Sequence, residues 1–410
     1  MSLGFALLFP FYILAAISIY LGVLSLRRGV RFIRYLQSEL IKEYPEYQPF
    51  VTVILPLRGV DEGLQSNISA LFAQDYPAYE VIFVSDDERD PAWEIVERAR
   101  RSFSRESGPM MRTIIAGPAR DCGQKVHNLS AAIKLAHPSS QVFAFVDSDA
   151  RVSRHWLSSL VAPLGETSVG ATTGYRWIVP MRNNFGSHLL SVWNASIASA
   201  LRDTEKSNFC WGGSTAIRRE NFERSKVAEH WRGALSDDFA MTRALREAAL
   251  PIKFVPQCLT PSYQGCSLSE LLEFTTRQLK ITRVYAAHLW KAVFFGAVIF
   301  VATFFGGIAL VATRAALGLS FLTPLFLILI MFAMGAAKSH LRLRAVAAAI
   351  TDEQVNTTAS TLSHITLWPL ASALYLYNAI AAAVSRRIEW RGIDYELKSP
   401  NETVIIRNVD

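Results

Sequence analysis

Charge is scarce in this 410-residue chain. Only 19% of residues are Asp, Glu, Lys or Arg, against 51% hydrophobic ones, and a soluble globular or disordered chain normally carries more. The four cysteines, Cys122, Cys210, Cys258 and Cys266, form no C-x-x-C pair and have no histidine at zinc-ligand spacing, which removes a disulfide scaffold and a zinc module. They are expected as free thiols filling small gaps. No G-x-G-x-x-G joins a first strand to a helix, and no G-x-x-x-x-G-K-[ST] occurs, so the usual phosphate cradles of dinucleotide-binding and P-loop proteins are missing. The net charge of +7 is not a nucleic-acid footprint. Basic residues cluster beside apolar segments, and no basic stripe interleaved with aromatics appears.

Four runs carry no charged residue at all: Leu3 to Leu26, Ala292 to Thr313, Ala315 to Ala337 and Thr361 to Ser385. As helices rising about 1.5 Å per residue, each is long enough to cross roughly 30 Å of hydrocarbon. The first lacks the basic lead and small-residue cleavage site of a signal peptide and reads as a retained anchor, 1–26. Arg27, Arg28, Arg31 and Arg34 follow it in a basic linker, 27–49, which marks the cytoplasmic side and puts the polar insert there, at the inner membrane in a bacterial cell. The second run leads outward and the third returns. The fourth reads as a full span, although Pro369 could break it into a re-entrant hairpin, and the side of the tail, 386–410, is left open.

Between the first two runs, short β-branched stretches alternate with amphipathic ones, the pattern of βα units and a mainly parallel sheet. Expected strands are Val51–Pro56, Glu80–Asp87, Arg112–Gly117 and the VFAFV run beginning at Val142. The insert is expected as one α/β domain, 50–268, followed by an amphipathic interfacial stretch, 269–290, and a three-segment apolar region, 291–385. The stretch Phe185–Leu201 reads as a packed helix or as one lying on the bilayer.

Ligands of such sheets bind beyond the carboxyl ends of the strands, and acids gather at those ends here. Asp147-Ser148-Asp149 closes VFAFV; two carboxylates one residue apart suit a hard divalent cation shared with phosphates, although an Asp also serves as a helix cap or turn residue. Asp86 and Asp87 close the second strand, where a carboxylate can accept from a nucleoside. Lys125, in GQKVHNL, is a candidate phosphate cation. In WGGSTAIRR, Gly212 and Gly213 before a small hydroxyl permit close approach of backbone to a ligand, although a plain turn reads the same way. Asp237 and Asp238, in LSDDFA, either favour a helix N-terminus or supply a general base.

In order and spacing, FVSDDERDPA, GQKVHNL, VDSDA, WGGSTAIRR, LSDDFAMTRAL, RQLKITR and IEWRGIDYEL resemble the family 2 type of glycosyltransferases with the α/β GT-A fold, most closely the ceramide glucosyltransferase group. The resemblance runs over nearly the whole chain. It implies that Asp87, with Asp86, contacts the nucleoside of a UDP-sugar donor, and that Asp147 and Asp149 hold Mg2+ or Mn2+ on the diphosphate. It makes Asp238 the catalytic base and sets Trp211, Gly212, Gly213, Ser214 and Asp237 on the acceptor side. Arg277, Gln278, Lys280 and Arg283 fall at a Q/R-x-x-R-W element for the donor, where this chain has Lys280 for the arginine and Ile281 for the tryptophan. The implied reaction is inverting transfer of a hexose to the hydroxyl of a ceramide-like membrane lipid. Alternatives are another lipid or polysaccharide acceptor, or nucleotide-sugar binding without turnover.

Overall fold

The structure is a computed structural model, and it describes residues 8–103, 108–350, 355 and 357–408. The first residues of the expected anchor, 1–7, lie outside these. The chain divides into two compact units: one holds the residues up to Arg34, Arg182–Ser199 and Gly265–Ser385, the other Tyr35–Met181, Ala200–Gln264 and the residues from Arg386 on.

The second unit is built on a seven-stranded sheet of β1 (Val51–Pro56), β2 (Tyr79–Ser85), β3 (Met110–Ile115), β4 (Val142–Val146), β5 (Ala171–Pro180), β6 (Ser214–Arg218) and β7 (Ile252–Gln264), ordered 3-2-1-4-6-5-7. β1, β2, β3 and β4 run parallel, β6 runs against β4 and β5, and β7 runs parallel to β5. All five side chains of β4 are buried, as expected of a central strand covered on both faces. Around Phe143 and Phe145 pack Ile54, Ile82, Val126, Leu129, Ile217 and Trp231, each large apolar side chain contributing about 2 kcal/mol when fully buried.

Strand direction decides where the acids meet. The carboxyl ends of β1, β2 and β4 share one edge of the sheet. Because β6 is reversed, its first residue, Ser214, sits opposite Val146, bringing the preceding Trp211-Gly212-Gly213 turn beside Asp147. β5 and β7 point the same way as β4, so the end of β7 at Gln264 reaches this edge too.

The tail forms an antiparallel three-stranded sheet of β8 (Arg387–Trp390), β9 (Ile393–Ser399) and β10 (Glu402–Asn408). It is fastened within the same unit. Tyr395, almost fully buried, accepts a bond from the Gln124 N–H at 3.2 Å, and Thr403 Oγ1 donates to the Gly233 carbonyl at 2.8 Å. All four cysteines are free and buried, as expected from their spacing.

The first unit is helical. Leu8–Leu40, Ala287–Ala316 and Leu322–Ala349 are each long and apolar enough to cross a membrane, and Thr358–Thr366 and Trp368–Val384 form a pair bent by 61°. The break falls just before Pro369, whose ring cannot continue the hydrogen-bonded ladder of a preceding helix. Helix Phe185–Ala198 belongs to this unit although it lies inside the stretch read from sequence as one α/β domain. Its Trp193 stacks on Tyr375 at 4.9 Å, and its Ser196 shares a 2.6 Å hydrogen bond with the Tyr375 hydroxyl.

Candidate functional site

Three stretches far apart in sequence converge on Lys125. The helix Gln124–Lys134 begins after Gly123, whose N–H donates to the Ala234 carbonyl at 2.9 Å. A Cβ there would lie 2.6 Å from the Leu235 carbonyl oxygen, so only glycine lets this helix start abut the Leu235–Asp238 segment. A Cβ on Gly212 would lie 2.4 Å from Asp237 Oδ2 and 2.6 Å from Lys125 Nζ. Glycine at this position leaves those two groups room to meet.

The Lys125 ammonium sits 2.6 Å from Asp147 Oδ1 and 3.2 Å from Asp237 Oδ1. Burial opposes its charge, but the two carboxylates hold its pKa above the ordinary lysine value. Asp237, at the first position of helix Asp237–Glu247, is buried, and burial pushes its pKa up to about 6 against the pull of Lys125. Asp238 is half-buried; its Oδ1 accepts from the Ser236 hydroxyl and from the Phe239 N–H at 2.7 Å.

Asp149 is held from the far strands. Gln264 Nε2 donates to its Oδ2 at 2.9 Å, and the Arg176 guanidinium on β5 stands 3.5 Å from the same oxygen. Its pKa is raised, by burial first and by Asp147 and Asp61 in addition, while Arg176 and Arg391 work the other way. Ser148, between the two acids, donates to Asp61, and its carbonyl accepts from Asn67 at 2.8 Å.

At the end of β2 the three acids part company. Asp90 accepts from the Gly59 N–H at 3.1 Å, Ser85 Oγ at 2.8 Å and the Ala92 N–H at 2.9 Å. Asp86 pairs through Oδ2 with Arg58, and its Oδ1 is buried without a hydrogen-bond partner among the described residues. Asp87 is exposed and accepts from the Arg89 N–H at 2.8 Å.

The structure thus gathers Lys125, Asp147, Gly212 and Asp237, with Asp149 alongside. Trp211 is buried against Tyr175, ring centroids 5.4 Å apart, and Ser214 Oγ accepts from Trp156 Nε1 at 2.8 Å. Arg277, Gln278, Lys280 and Arg283 lie on helix Leu268–Tyr285 of the other unit, where Arg277 pairs with Glu273 at 3.4 Å and Arg283 donates to the Ala382 carbonyl at 2.5 Å. Sequence reasoning missed Asp61, Arg176, Gln264 and Arg391. The WRG in the tail motif was the one signal that pointed towards any of them. Among the described residues, no group of three or more His, Cys, Asp or Glu side chains is arranged to hold a metal by itself.

The sequence profile of glycosyl transferase family 21 matches residues 10–403, and the chain belongs to that family. A ceramide glucosyltransferase of Gibberella zeae is 28% identical over 142 residues, 32% of this chain and 26% of that protein; the match spans about a quarter of the relative's length. Among solved structures, a mannosyltransferase from Pyrobaculum calidifontis in complex with GDP-Man and Mn2+ is 19% identical with a TM-score of 0.47, covering 90% of this chain and 98% of that one. A glucosyl-3-phosphoglycerate synthase from Mycobacterium tuberculosis, in complex with Mn2+ and UDP-glucose, is 14% identical with a TM-score of 0.38, covering 59% and 84%. The chain combines an α/β fold of the GT-A type with helices apolar and long enough to span a bilayer.

Proposed function

We propose that the chain is an inverting glycosyltransferase that moves a hexose from a UDP-sugar to the hydroxyl of a membrane lipid of the ceramide class. The observation that carries this reading is Lys125 between Asp147 and Asp237, with Asp149 beside them on Arg176 and Gln264, at the ligand-binding edge of the sheet. Carboxylates drawn this far out of water are costly unless compensated, and a nucleoside diphosphate with its cation is a ligand that uses both signs of charge.

Asp147 and Asp149 are two hard oxygen ligands, and together they fit a cation that arrives with its diphosphate. Mg2+ and similar ions commonly take one or two carboxylates and complete their shell with phosphate and water. Such an ion, when bound, offsets charge on the departing UDP. Lys125 is placed to exchange a carboxylate for a phosphate oxygen. The buried Oδ1 of Asp86, without a partner among the described residues, favours that residue, ahead of exposed Asp87, as the acceptor of a hydrogen bond from the nucleoside. Asp238 takes the proton of the attacking hydroxyl, and attack opposite the leaving group inverts the anomeric carbon.

The apolar unit supplies the acceptor from the bilayer, with Arg277, Gln278, Lys280 and Arg283 acting beside the headgroups. Strands β8 to β10 hydrogen-bond to the sheet-containing unit, which supports a tail on the same side of the membrane as the sheet. The chain between Gln264 and Arg386 then crosses an even number of times, so the bent pair enters and returns. On this reading the fourth apolar run is the re-entrant hairpin that Pro369 allows, in place of a full span. Calorimetry of the purified full chain with UDP and Mn2+ tests the donor assignment: wild type binds and Asp149→Ala does not. Equal binding by both overturns it.

A further inference from the structure

The hairpin joining β8 and β9 has a two-residue turn, Arg391-Gly392, with Trp390 opposite Ile393. Both turn residues have positive φ, +54° for Arg391 and +75° for Gly392. Such turns are normally filled by Asn-Gly, Asp-Gly or Gly-Gly, because a longer side chain is strained in the left-handed region. Backbone geometry therefore disfavours arginine here. What arginine adds is its guanidinium, and the turn is held so as to aim it.

Arg58 donates Nε to the Arg391 carbonyl at 2.8 Å while pairing with Asp86, which ties the turn to the ends of β1 and β2. Arg391 Nη2 lies 2.5 Å from Asp61 Oδ1, and the other oxygen of Asp61 accepts from Ser148, the middle residue of Asp147-Ser148-Asp149. The arginine's charge is felt by Asp149 and Asp147 as well as by Asp61. Its side chain is 42% exposed, so a ligand entering along this edge can reach it.

We propose that Arg391 is a donor-binding residue, delivered to the diphosphate site by the C-terminal hairpin. The proposal rests on the UDP-sugar reading above. Without ligand, Asp61 holds the guanidinium in place; the planar fork then turns to the diphosphate oxygens, which it matches in a bidentate fashion that a lysine cannot. The donor site is on this account composite, built from β-strand ends of the sheet and from residues more than 240 positions later in the chain.

The test uses the full chain in lipid nanodiscs, with UDP and Mn2+ as the calorimetric probe and thermal unfolding measured on the same samples. Arg391→Asn puts the residue best suited to this turn in place of the arginine, so the hairpin should unfold at the wild-type temperature or above it. UDP should nonetheless bind at least about tenfold more weakly, as expected for loss of a hydrogen bond to a charged group, and Arg391→Lys should fall between the two. UDP binding by Arg391→Asn equal to wild type overturns the proposal. So does weakened binding accompanied by a lowered unfolding temperature, because the residue would then act through the hairpin's fold. If wild type itself fails to bind UDP with Mn2+, the donor reading falls and this proposal falls with it; wild-type binding with an indifferent Arg391→Asn removes this proposal alone.

Discussion

At the carboxyl end of β4, Asp147 and Asp149 are each held by a cation or amide from another part of the chain, Lys125 for one and Arg176 with Gln264 for the other. At the end of β2, Asp90 is occupied by two backbone N–H groups and a serine, and Asp87 faces water. The two ends have similar acid content and different chemistry. Carboxylates tied to cationic side chains can trade partners with an incoming anion and its cation, whereas one bound to backbone N–H groups holds a loop in shape. Asp86 stands between these cases, paired on one oxygen and buried on the other without a partner among the described residues.

The contrast is open to direct attack. Asp238→Asn should lower transfer by about 10²- to 10⁴-fold while UDP affinity is kept, the range expected for loss of a general base; steady-state turnover alongside calorimetry separates the two quantities. Lys125→Met leaves Asp147 and Asp237 facing one another without a cation and should destabilise the fold by about 3 kcal/mol, read from denaturant unfolding. Asp90→Ala should cost about 2 kcal/mol through its orphaned N–H donors and leave the UDP dissociation constant unchanged. A large loss of UDP affinity in that variant would erase the distinction between the two ends.

The smallest effect concerns pH. Asp237 titrates near 6 in the folded chain and near 3.9 when unfolded, so between about pH 4 and 6 the folded state keeps a proton that the unfolded state has released. Its contribution to stability is present below this window and is lost as pH rises through it. Unfolding temperatures of wild type, compared with those of Asp237→Asn over the same range, should show the extra downward slope in wild type only.

Much of the sheet was legible in the sequence. β1 is Val51–Pro56 as expected, β4 coincides with VFAFV, and β2 and β3 begin within two residues of their expected starts. Buried strands are short β-branched runs ended by turn acids, and that signal is local. The glycines of WGG were visible as turn or close-approach residues, but what they approach is set by the reversal of β6, which no local pattern announces. Asp61 and Arg391 are 330 residues apart, and only the docking of the tail brings them together. Helix Phe185–Ala198 was recognisable as a helix, yet its assignment to the apolar unit depends on partners such as Tyr375, distant in sequence. The bend in the last apolar run was foreshadowed by Pro369, because proline acts on its own neighbours.

The account is tested most directly by incubating the purified full chain, in lipid nanodiscs containing ceramide, with a panel of labelled UDP-sugars and Mn2+ or Mg2+, and analysing the lipids by mass spectrometry and anomeric configuration. It predicts a hexosyl lipid with a β-linkage formed from an α-linked UDP-hexose, in amounts about 10²- to 10⁴-fold lower in Asp238→Asn. A chain that binds UDP but yields no glycosylated lipid from ceramide or from other hydroxyl-bearing lipids, or one that retains the α-configuration, would contradict it.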